Sequence, residues 1–137
     1  MTLGDLLHPV GAPIEHVYFP ESGMVSMLTV MKSGEQIETA IIGREGVIGG
    51  WVAIDGVNTN TQSTVQIEGS AQQVSTARFL ETYRASDTFR SAMNAYQGVI
   101  LFQANRALVV TLFIPSRRAC AVGCCFRRTY WSQSTFL

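Results

Sequence analysis

The sequence predicts a mainly β domain that ends in a long helix, on two observations. Up to Val74, short runs of alternating apolar and polar residues are separated by Gly, Pro, Ser and Asn at intervals of roughly ten residues, the spacing of a sandwich, jelly roll or barrel. From Ser75 onward apolar residues recur every three or four positions, which is a helical period.

The strand-like pattern starts at Ile14, where Val17 and Phe19 alternate with His16 and Tyr18, and the run from Pro20 to Gly23 reads as a turn. Met24 to Met31 is rich in residues that suit a pleated, half-buried surface, and Lys32 to Glu35 returns it as a hairpin into QIETAII. Gly43, Gly46, Gly49 and Gly50 mark places where the backbone turns sharply or approaches something closely. A polar loop from Gly56 to Thr61 leads to STVQIEGSAQQV, read as one further alternating strand. Ser75 suits the N-cap of a short helix carrying Phe79, Leu80 and Tyr83, and Ser86 or Asp87 can cap a longer one beginning near Thr88. Along the longer helix Phe89, Met93, Tyr96, Ile100, Ala104 and Ala107 form one apolar stripe. That stripe needs a partner, either the domain's own sheet or the same helix of a second subunit.

A chain of 137 residues fits one domain with a real core. Ten basic and ten acidic residues cancel, so there is no global positive field to collect a nucleic-acid backbone. Their placement is uneven: after Leu108 there are four arginines and no carboxylate. The start, MTLGDLLHPVGAPIEH, has neither the basic nor the apolar region of a signal peptide, and the most apolar stretch, VILFQANRALVVTLFIP, is interrupted by Gln103, Asn105 and Arg106. A cytoplasmic protein without membrane contact is expected. Its three cysteines, Cys120, Cys124 and Cys125, then imply free thiols or metal ligands and no disulfide framework.

Residues for catalysis are scarce. A small jelly-roll metal enzyme of the cupin type needs several histidines and a carboxylate on one metal, and only His8 and His16 exist, read as an exposed turn residue and a strand residue. The pairs Glu35 with Glu38 and Glu15 with Glu21 sit in or beside turns and read as solvated surface. No serine lies in a nucleophile elbow, GREGVIGG lacks the Gly-Lys-Ser/Thr of a P-loop, and the tail cysteines lack a fourth zinc ligand. Arg127, Arg128, Tyr130 and Trp131 can stack on single-stranded nucleic acid, but four arginines in a short tail are weak grounds for that function. No cofactor is expected.

The stretches HVYFPESGMVS, from His16 to Ser26, and AIIGREGVIG, from Ala40 to Gly49, resemble signatures of the effector domain of Crp/Fnr-type bacterial transcription regulators. The resemblance extends to about Leu108. It implies a double-stranded β-roll of the cyclic-nucleotide-binding-like, jelly-roll-like type, then a long C-terminal helix that pairs two subunits, then a winged helix-turn-helix that reads the major groove. It assigns residues 1–86 to the roll with a short helix, 87–108 to the dimerisation helix, and 109–137 to a tail foreign to the family. It also implies a homodimer through Phe89, Met93, Tyr96, Ile100, Ala104 and Ala107.

The effector pocket by the same resemblance comprises Ile48, Gly49, Gly50, Thr61 and Gln62. Members that bind cyclic AMP hold it with a Gly-Glu pair and an Arg-Ser pair. Here Gly49 and Gly50 stand at the first pair, and Thr61 and Gln62 lie near the second. Both charged partners are missing, so no tight cyclic-nucleotide binding is expected, and the effector is unknown.

Where the family continues with a segment like C-N-T-L-H-P-V-E-A-R-L-C-R-W-L-L, this chain reads VVTLFIPSRRACAVGCC from Val109. Joining the last base of each codon to the first two of the next permits that family segment in full. We therefore read Val109 or Val110 onward as a frameshift product, ending a truncated protein that lacks the DNA-binding module, so that DNA is a partner of intact relatives only. The reading is then a regulatory effector-sensing domain that is not an enzyme. The alternatives are a small cupin-like metal enzyme and a pseudogene product with no function.

Overall fold

The computed structural model describes residues 1–56 and 61–113, the side chains of residues 108 and 110–113 excepted. The sequence readings of the tail, its cysteines Cys120, Cys124 and Cys125 and its four arginines among them, fall outside the described residues. Two antiparallel sheets make up the roll. In the larger, β1 (Leu6–His8), β5 (Thr61–Ile67), β3 (Met24–Val30) and β4 (Gln36–Ile42) lie side by side in that order. In the smaller, β2 (His16–Pro20) pairs with β6 (Ala71–Ser75) from His16 opposite Ser75 to Pro20 opposite Ala71. The β3–β4 hairpin is the one the sequence predicts: the Met31 N–H donates to the Glu35 carbonyl at 2.8 Å, and Gly34 takes the left-handed turn position.

Three elements differ from the sequence reading. STVQIEGSAQQV is two strands in different sheets, because the chain breaks at Glu68 to Ser70, where the Glu21 and Ser22 N–H groups both donate to the Ser70 carbonyl. Gly69 permits this crossing: a Cβ there would overlap the Ser22 backbone. A short helix, α1 (Gly50–Asp55), stands where only turns were expected, bracketed by Gly49 and Gly56, both left-handed. β1 precedes the first predicted strand and pairs with β5, opposing His8 to Ser63.

The helices α2 (Thr76–Ala85) and α3 (Asp87–Phe113) follow. Ser75 holds the N-cap position of α2 but its hydroxyl makes no capping bond; instead the Thr76 hydroxyl donates to the Ile14 carbonyl at 2.5 Å. Ser86 caps α3 by accepting the Phe89 N–H at 3.2 Å. α3 runs past the expected boundary at Leu108 to Phe113, since no residue before Pro115 breaks a helix.

The core has two parts. Val17, Ala53, Phe79 and Met93 are buried together, with the Phe79 ring 5.6 Å from that of Phe89 and 6.3 Å from that of Phe19. Val25, Ile42, Ile48 and Val65 form the second cluster, on which Ile100 packs. Of the two partners the sequence allows for the apolar stripe, the single chain supplies the first: Phe89, Met93, Tyr96 and Ile100 pack on its own core, and Met93 is only 7% exposed. Packing on the core removes much of this apolar area from water within one chain, almost completely for Met93 and in part for Phe89, Tyr96 and Ile100. Farther along, Gln103 Oε1 accepts the Ile41 N–H at 3.2 Å, fixing α3 to β4, while Ala104 and Ala107 are half-buried.

Candidate effector pocket

The segment carrying Ile48, Gly49 and Gly50 connects β4 to α1. Gly43 accepts the Gly46 N–H at 3.0 Å to close its first turn. Ile48 is fully buried, and its N–H and C=O both bond to Tyr18 of β2, at 2.9 and 3.0 Å, which joins the two sheets. Gly49 then turns the chain into α1 with φ 82°, and a Cβ at this position would overlap the His8 ring. Gly50 is buried under Val47, Met93 and Phe79; a Cβ there would lie 3.1 Å from the Met93 methyl. Gly49 is therefore required both by backbone angle and by close approach, and Gly50 by close approach alone.

Thr61 and Gln62 open β5, half-buried and opposite Thr29 and Leu28 of β3. Ser63, the next residue, is buried and is the register partner of His8. The imidazole of His8 thus connects the two halves of the expected pocket, since its strand pairs beside Gln62 while its ring covers Gly49. None of Ile48, Gly49, Gly50, Thr61 and Gln62 carries a charge, so these positions offer no cation to a phosphate.

His8 is the residue the sequence reading missed. It is 5% exposed, not an exposed turn residue, and its Nε2 donates to the His16 carbonyl at 2.8 Å while its ring tilts against Tyr18 with centroids 5.5 Å apart. A carbonyl only accepts, so Nε2 carries the proton and Nδ1 is the free nitrogen of the neutral ring. Burial pushes the imidazole below its ordinary value of 6.5, partly opposed by the bond to the His16 carbonyl and reinforced by the His16 ring. The sequence signal, LLH followed by proline, is too short to announce a strand.

The remaining candidates separate. The hydrogen bond between His8 and His16 runs to the His16 backbone, and among the described residues no three of His, Cys, Asp and Glu are grouped so as to hold a metal. Glu38 is not solvated surface: it is half-buried and accepts the Ser26 hydroxyl at 2.5 Å, because Ser26 itself is 1% exposed. Glu35 and Glu21 remain exposed, bonded to Ser33 and Gln72. Among the described residues, no helix is long and apolar enough to cross a membrane.

No protein-family model and no curated protein matches the sequence. Solved structures do match. The c-di-GMP-responsive global regulator CLP of Xanthomonas campestris aligns with a TM-score of 0.71 at 15% identity, over 84% of this chain and 58% of that one. The catabolite activator protein of Thermus thermophilus gives 0.66 at 16% identity, over 82% and 53%. The sensor domain of the transcriptional regulator DNR from Pseudomonas aeruginosa gives 0.60 at 15%, over 75% and 69%. The chain thus spans little more than half the length of the first two. Its antiparallel roll followed by a long helix is the cyclic-nucleotide-binding-like β-roll fold of these bacterial regulators.

Proposed function

We propose that this chain is a non-catalytic, effector-sensing domain of a Crp/Fnr-type transcription regulator, working as a homodimer paired through α3. The observation that carries the reading is the two-sidedness of that helix. Its inward stripe is seated on the glycine turn and the roll, while the opposite face presents Gly98, Phe102, Asn105 and Val109, flanked by Leu101 and Arg106. Phe102 is 64% exposed and Val109 55%, an apolar face on a 27-residue helix that has no cover within the described chain. The dimer residues are therefore moved from the stripe to this face. An effector bound near Gly49 and Gly50 would act on Met93 directly and so on the pairing helix, a coupling of two sites through one element. The neutral side chains at the five pocket positions favour an effector not selected by phosphate charge.

Sedimentation velocity of the purified chain tests this reading. A dimer is expected, and a folded chain that stays monomeric at the highest attainable concentration contradicts it. For the tail, the shifted-frame match supports reading Val109 or Val110 onward as out-of-frame sequence. Resequencing the DNA across the codons for Ala104 to Phe126 decides this: a gained or lost base is expected, and a clean frame makes the cysteine-bearing tail genuine protein.

A further inference from the structure

We propose that His8 is a proton-operated latch, holding β1 against the Gly49 turn while neutral and releasing both when it takes up a second proton. β1 is a three-residue edge strand, bonded on one side only, to β5. The backbone bonds that flank it are few: the Gly4 N–H donates to the Val65 carbonyl and the Val65 N–H to the Asp5 carbonyl, each at 2.9 Å. Of its three side chains only His8 is buried, while Leu7 is half-buried against the Val25 cluster, so the imidazole shares the anchorage of the strand with one apolar contact.

The surroundings of His8 suit a neutral ring and not a charged one. From β2 it meets the His16 carbonyl and the Tyr18 ring, and the titratable His16 side chain repels a second positive charge. β5, TQSTVQI, and the first turn of α1 contribute no charged residue. Asp5, the nearest acid along the chain, is exposed and accepts the Thr2 N–H at 2.6 Å. A buried imidazolium with no carboxylate beside it is costly, so a second proton favours the arrangement in which the ring reaches water. Burial already holds this group below the ordinary histidine value, the direction such a latch requires. Release would reach α3, because Gly50, adjacent to the covered Gly49, lies directly under Met93.

Amide hydrogen exchange of the full chain between about pH 7.5 and pH 5, corrected for intrinsic rates, is the test. Opening at Gly4 and Val65 is expected to rise by up to roughly tenfold per pH unit below the ordinary histidine value, with the β3–β4 hairpin unaffected. His16→Gln retains the response and His8→Gln abolishes it. Opening that is independent of pH in the wild type, or a response that survives His8→Gln, overturns the latch. If His8→Gln does not fold, nitrogen-detected titration of the wild-type ring decides. A ring protonated on Nε2 alone until Val65 opens supports the latch, and one that titrates at the ordinary value with Val65 still closed refutes it.

Discussion

At the residue scale, the contact between Gly49 and His8 sets the geometry of the candidate pocket. Gly49→Ala combines a left-handed backbone with overlap of the His8 ring and is expected to cost about 2–4 kcal/mol in chemical denaturation. Gly56→Ala, also left-handed but with open space around its Cβ, is the control and should cost only about 1 kcal/mol. Equal losses would mean that the ring does not rest on Gly49. For His8 the sign of the pH dependence follows from its lowered folded value: below about 6.5 the unfolded chain binds a proton that the folded chain resists. Stability is then complete above that pH and falls as the pH drops toward the folded value, a slope that His8→Gln should remove from denaturant midpoints. Neither effect was legible in the sequence, which offers a lone histidine before a proline and gives no sign that it is buried.

At the scale of elements, legibility followed local signals. The β3–β4 hairpin was readable because Lys32–Glu35 supplies its turn chemistry, and α3 because its stripe is long. The division between β5 and β6 was not, since Gln66 to Ser70 continues an apolar–polar alternation and only Gly69 hints at the crossing. β1 and α1 are too short for any period to show. The stripe on α3 was correctly placed, but periodicity reports that one face is covered and not by what. Met93→Ala distinguishes the two covers: burial in the chain's own core predicts a loss of about 2–5 kcal/mol that does not depend on protein concentration. A loss that disappears on dilution would place Met93 in an interface instead.

For the whole molecule, composition excluded more than it identified. It argued against a nucleic-acid surface within the described domain, and the resemblance carried the choice of a β-roll over other β architectures, which residue patterns alone left open. The candidate pocket positions come from that resemblance alone; the structure places His8 and Ser63 between them. The competing cupin-like reading is addressed by metal analysis of purified protein, where we expect no stoichiometric metal and a melting temperature unmoved by a chelator; retention of one equivalent would favour the enzyme. The central claim, a sensor that pairs through the outward face of α3, rests most directly on Phe102→Glu. Sedimentation velocity of this variant beside the wild type should show a folded monomer against a dimer, because Phe102 is exposed in the single chain and a charge there opposes only the pairing. A variant that remains dimeric, with its circular dichroism intact, would contradict the account.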